Sequence, residues 1–152
     1  MRKHKKHHAK KSGLAPGSLV YVGKSDNEVA KLEAPRLSLT VYDGSGVQER
    51  TIAVSELGAL DLASAKKLWL NVHGIHDVEF IKKIGQVFNL HPLVLEDILN
   101  TEQRPKVDEF SNYVFLETRH FYYEKTSLSV SSEQISMVLG RNFLLTFQER
   151  ST

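Results

Sequence analysis

The 152-residue chain has no cysteine. That excludes disulfide staples and thiolate metal sites, and it permits a reducing compartment without requiring one. Nowhere does it run to about 18 consecutive apolar residues, the length a membrane-spanning helix needs. The chain as given is therefore expected to be soluble. Its basic start has no apolar stretch behind it, so a secretory signal is not expected there. Aromatic residues are missing among those early lysines, which argues against a base-stacking nucleic-acid surface. No internal repeat stands out.

What is present suits one globular domain. Hydrophobic residues make up 41% of the chain, enough for a core at this length. Charge is unevenly spread. Residues 1–11, "MRKHKKHHAKK", carry six lysines and arginines and no acid; subtracted from the net +2, they leave −4 on the remainder. A self-repelling segment without apolar anchors reads as a disordered tail, taken as residues 1–12, ahead of a domain over 13–152. Contact with anionic lipid or nucleic acid, and metal capture by His4, His7 and His8, are the alternatives to plain solvation.

The body alternates strand and helix signals. "GLAPGSLVYVG" (13–23) reads as a Pro-Gly turn entering a short strand over 19–22. "LSLTVYDGSGVQERTIAV" (37–54) is a β-hairpin, with Asp43-Gly44-Ser45-Gly46 as its turn. Helical turns over "SELGALDLASAKK" and a strand over 67–74 follow. In residues 76–88 Val78, Ile81, Ile84, Gly85 and Phe88 keep the i, i+3, i+4 rhythm of a helix, capped by His76 or Asp77. "NLHPLVLEDILN" is a second helix with Pro92 in its first turn, and Arg104-Pro105 ends the helical region. Residues 113–124 and two segments around Gly140-Arg141-Asn142 read as strands. The predicted fold class is α/β, a mixed parallel and antiparallel sheet with helices packed on it.

Two adjacent acids, Glu96 and Asp97, interrupt the otherwise apolar second helix. On a wheel with Leu93 at zero, Val94, Ile98, Leu95 and Leu99 fall between about 100° and 240°, and Glu96, Asn100 and Asp97 between about 300° and 40°. The acids are therefore expected to face outward into one patch, joined by Glu102 at the helix end. Three readings stay open: a solvated acidic face, a hard-cation site for Mg²⁺ or Ca²⁺, and an acid/base pair. No nucleophile, phosphate loop or metal triad stands nearby to support catalysis. His73 and His76, without an acidic or sulfur partner, make a poor zinc pair.

The stretch "GIHDVEFIKKIGQVFNLHPLVLEDILNTEQRPKVDEFSNYVFL" (74–116) resembles the cytoplasmic N-terminal domain of the CorA family of magnesium and cobalt transporters. "GLAPGSLVYVG" and "EQISMVLGRNFLLTFQE" are similar to that domain's opening and closing segments. The resemblance implies a non-enzymatic regulatory domain of a homopentameric channel at the cytoplasmic face of the inner membrane. In such a channel a long helix and two membrane helices with a Gly-Met-Asn signature follow. The sequence stops at "FQERST", so a truncated domain is expected. The resemblance further implies that Asp97 and Glu96 are metal-binding acids, that Glu102 is a further ligand position, and that Leu14 supplies a backbone oxygen. Mg²⁺, with Co²⁺ as the second ion, would then sit between subunits and favour the closed pore, the main partner acid lying on the neighbour's long helix. A same-family zinc transporter domain and a structural interaction domain without metal sensing are the alternatives; no nucleic-acid partner is expected.

Overall fold

The structure, a computed structural model, describes residues 13–23, 33–63 and 66–149. The basic tail and its histidines lie outside the described residues. Leu37, Leu39 and Val41 alternate with polar neighbours along β1 (Arg36–Asp43), so one face of the strand is apolar. β2 (Gly46–Ile52) returns antiparallel through a two-residue loop, Gly44-Ser45, where Asp43 Oδ1 accepts the Ser45 N–H at 2.7 Å. A 3₁₀ helix (Val54–Ala59) leads to β3 (Lys67–His73), which pairs with the other side of β1.

Two helices come next. α1 (Val78–Val87) is capped by Asp77, whose carboxylate accepts the Phe80 N–H at 3.0 Å. α2 (Pro92–Ile98) is capped by His91, whose Nδ1 accepts the Leu93 N–H at 3.1 Å. Four strands complete the sheet: β4 (Lys106–Glu109), β5 (Tyr113–Glu124), β6 (Ser129–Gly140) and β7 (Phe143–Gln148). The order is β2-β1-β3-β7-β6-β5-β4. Only the β3–β7 pair is parallel; all other neighbours are antiparallel.

The inner face gathers Leu37, Leu39, Leu70, Val72, Leu145, Phe147, Val138 and Phe115, all 2% exposed or less. Phe80, Ile81 and Ile84 of α1 and Val94, Leu95 and Ile98 of α2 pack into the same core. Each such side chain contributes about 1.5–3 kcal/mol by leaving water. The opposite face is different. Trp69, Leu144, Leu139 and Val114 form one cross-strand row there, and Trp69, Leu139 and Val114 are exposed. β5 and β6 outrun their neighbours. Residues 118–124 pair only with 129–135, forming a two-stranded arm.

The mixed sheet, both helices and the hairpin match the sequence reading, with three differences. The expected strand over 19–22 is a single parallel bridge, Val22 to Asn100, held by Val22 N–H to Leu99 O at 2.8 Å and Thr101 N–H to Val22 O at 2.9 Å. β6 begins at Ser129, four residues earlier than read. β4 was not anticipated, because its inward positions are Lys106 and Asp108 and its outward Val107 is exposed. Its polarity is inverted relative to an ordinary half-buried strand.

α1 and α2 approach closely at Gly85, where an added Cβ would stand 2.5 Å from Leu95 Cδ1. Gly85→Ala gains about 1 kcal/mol of helix propensity but must displace a buried leucine. A net loss of about 1–2 kcal/mol is expected in urea unfolding, and unchanged or raised stability would refute the close approach.

Candidate functional site

α2 carries the acids, and its two flanks treat them differently. On one flank, residues 13–18 turn over the helix start. Ser18 N–H donates to Ala15 O at 3.1 Å, and Gly17, at φ 82°, lies against Pro92. A side chain is disfavoured at that backbone angle. Gly17 N–H then donates to Glu96 Oε2 at 2.6 Å. This charge-assisted bond ties the segment bearing Leu14, itself 49% exposed, to the Glu96 carboxylate.

On the other flank Asp97 turns toward β4. Its Oδ1 accepts from Gln103 Nε2 at 2.7 Å and its Oδ2 from Lys106 Nζ at 2.6 Å. Its side chain is 17% exposed. Lys106 also reaches Asp108 at 2.9 Å and lies over the Phe115 ring, 5.6 Å from its centroid. The expected common outward patch is thus divided. Glu96 faces the N-terminal segment, whereas Asp97 is folded back into an ion-paired cluster. Glu102 lies beyond the helix end, exposed, with its N–H donating to Asn100 Oδ1 at 3.3 Å.

Behind Asp97 the cluster continues into the sheet. Gln134 Nε2 donates to Asp97 O at 3.3 Å and to Glu117 Oε1 at 3.1 Å. Glu117 and Gln134 are each 2% exposed, and Glu117 Oε2 and Gln134 Oε1 have no hydrogen-bond partner among the described residues. Burial pushes the Glu117 carboxyl up to about 7; the charges of Asp97 and Asp108 add to the rise and Lys106 opposes it. Burial would lower the Lys106 ammonium, but its hydrogen bonds to Asp97 and Asp108 outweigh that and hold it far above its usual range.

Sequence reasoning missed Gln103, Lys106, Glu117 and Gln134. For Lys106 a signal existed: the Lys106-Val107-Asp108 alternation is that of a strand whose buried side is charged. Nothing local marks Glu117 or Gln134. Elsewhere, His73 Nδ1 meets Gln148 Nε2 at 2.9 Å in a buried pair, a structural position. Among the described residues no three His, Cys, Asp or Glu side chains form a metal-holding group. The oxygen donors around α2 suit a hard cation chemically, but they are too few to replace its water shell.

A family description, "CorA-like Mg2+ transporter protein", matches residues 64–152. The chain is 41% identical over 140 residues to the "Cobalt/magnesium transport protein CorA" of Thermotoga maritima, covering 92% of this chain and 38% of that protein. It is 27% identical over 84 residues to the "Putative metal ion transporter YfjQ" of Bacillus subtilis, covering 55% of this chain and 25% of that protein. The chain thus spans well under half the length of these relatives. The soluble domain of CorA from Methanocaldococcus jannaschii superposes with a TM-score of 0.55 at 12% identity, over 78% of this chain and 41% of that one. Full-length CmaX gives 0.61 at 15%, over 77% and 36%. At these identities the structures share the fold. No described helix is long and apolar enough to cross a membrane.

The raised Glu117 carboxyl fixes the sign of a pH effect. Between its ordinary 4.5 and about 7, the folded chain holds a proton that the unfolded chain has released. The group's contribution is therefore complete below about 4.5 and is lost as pH rises through about 7. Relative to Glu117→Gln, the parent is expected to lose on the order of 2 kcal/mol between pH 5 and pH 8 in denaturant unfolding. Parallel profiles for the two proteins would refute the raised value.

Proposed function

The chain belongs to the family of CorA-like Mg²⁺ transporter proteins, and on that premise we propose that it is the cytoplasmic regulatory domain of a magnesium/cobalt transporter. It senses Mg²⁺ held between neighbouring subunits of a homopentamer at the inner membrane, and the bound ion favours the closed pore. The observation that carries this reading is the set of oxygen donors on and beside α2. Glu96 and the Leu14 segment tied to it through Gly17 supply hard donors on one flank, and Asp97, shared with Lys106, supplies another on the other. Glu102 stands beyond the helix end as a further candidate ligand. A cation there stays partly hydrated, and its remaining ligands come from another chain. Acids facing each other across an interface repel, and a dication between them relieves the repulsion. Loss of the ion loosens the contact and shifts the population toward the open form.

Lys106 gives this reading a feature of its own. Its ammonium already occupies Asp97 Oδ2, so an incoming cation must share the carboxylate with a positive charge or displace it. Affinity is thereby held down, as a sensor working near cellular Mg²⁺ levels requires. The same pair supports a second reading, in which Asp97 is a structural group that anchors α2 to β4 and the domain serves only in subunit interaction.

A Mg²⁺ titration of the chain, followed residue by residue by NMR, separates the two. Sensing requires saturable shifts at Leu14, Glu96 and Asp97, and binding about tenfold tighter in Lys106→Met, where the competing charge is gone. Shifts absent in both proteins would favour the structural reading. In the full-length transporter Asp97→Asn is expected to raise several-fold the Mg²⁺ needed for closure, read as ion flux against Mg²⁺ concentration. Unaltered inhibition would remove Asp97 from the sensor.

A further inference from the structure

Away from α2, the end of the sheet where β3 and β7 begin holds an open groove of about 820 Å³. It is built by three connections: residues 62–63 after the 3₁₀ helix, the β4–β5 turn Ser111-Asn112, and the β6–β7 turn Arg141-Asn142. Its cations are Lys67 and Arg141, and none of the described residues that line it is a carboxylate. Lys67 Nζ donates to Arg141 O at 3.1 Å and to Asn142 Oδ1 at 2.6 Å. Both acceptors are neutral, so they orient the ammonium without cancelling its charge. Among the described residues neither Lys67 nor Arg141 makes an ion pair.

Two acids in the adjoining segments have partners of their own, although the N–H bonded to Asp61 leaves its charge in place. Asp43 pairs with Lys66 at 3.5 Å, and Asp61 Oδ1 accepts the Ala63 N–H at 3.2 Å. In a body that carries −4 over residues 12–152, two adjacent unneutralised cations in a concave site mark a local positive field. Ser111 and Asn112 add neutral donors, and Phe143 gives an apolar wall, its ring held edge-on to Phe88 at 5.0 Å. The volume lies in the range of small-ligand sites, about 300–1,000 Å³.

We propose that this groove binds a phosphorylated ligand, its dianionic phosphate held between Lys67 and Arg141. The guanidinium offers a planar fork to two phosphate oxygens, the ammonium a point charge to a third, and Ser111 and Asn112 complete the donors. Phe143 receives the ligand's less polar body. The site needs no divalent cation and is separate from the acids of α2.

The test uses the full 152-residue chain in EDTA, with inorganic pyrophosphate, ATP and adenosine titrated separately and backbone amide signals followed. Saturable shifts at Lys67, Ser111, Asn112, Arg141 and Asn142 are expected with pyrophosphate and ATP but not with adenosine. The double variant K67Q/R141Q is expected to weaken binding at least about tenfold, the loss of two charge-assisted contacts. R141E alone serves if the double variant does not fold. Co-sedimentation with phosphatidic acid vesicles, against phosphatidylcholine vesicles, distinguishes a lipid headgroup from a free phosphate; retention that needs Lys67 and Arg141 supports the site with lipid as the source. Shifts confined to the basic residues 1–11, unchanged affinity in the variants, or no saturation at millimolar ligand together with no vesicle retention would overturn it.

Discussion

The parallel pairing of β3 with β7 is the constraint on which the rest of the domain depends. It joins the three strands β2, β1 and β3 to the four strands β7, β6, β5 and β4, and no other pair in the sheet is parallel. Parallel neighbours cannot be linked by a tight turn, so the chain must leave β3, cross over and return. Everything between His73 and Phe143 lies within that crossover, including α1, α2 and the β4–β5–β6 meander. The helices cover the inner face during the crossing, which gathers Ile84 and Ile98 into one core with Leu70 and Phe147. The acids of α2 therefore owe their position to a pairing register set far from them in sequence.

At the outer end of the same face the core becomes polar. Lys106, Glu117 and Ser136 lie side by side across β4, β5 and β6, in line with buried Phe147 of β7. Breaking one member of such a set leaves a buried charge uncompensated, which costs more than the contact itself contributes. Asp97 belongs to this set through Lys106 and Gln134. Its substitution thus acts on the fold and on any bound ion together, and a stability measurement must accompany every functional one.

Legibility in the sequence followed the length scale of each signal. The hairpin at Gly44-Ser45, the start of α1 at His76 or Asp77, the Pro92 start of α2, and the apolar stripe Val94, Leu95, Ile98 were readable because each is a local pattern with a local cause. The wheel also set Leu93 apart from that stripe, and it is exposed. It could not show that Asp97 would turn back toward Lys106, since that depends on where β4 lies. β4 was itself hidden by charged residues at its inward positions. The Glu117–Gln134 contact joins residues 17 apart on adjacent strands, and only the β5–β6 register brings them together. The resemblance in residues 74–116 supplied the family where propensity alone stopped at an α/β domain.

The apolar row on the outer face includes the chain's single tryptophan. Trp69 is 40% exposed and donates its indole N–H to Thr146 Oγ1 at 2.9 Å. The domain therefore carries an intrinsic fluorophore on the side opposite its helices. Whatever covers that row dries the indole and moves its emission to the blue, while rearrangements around α2 leave the light nearly unchanged. The two faces of the sheet are optically distinguishable without any label.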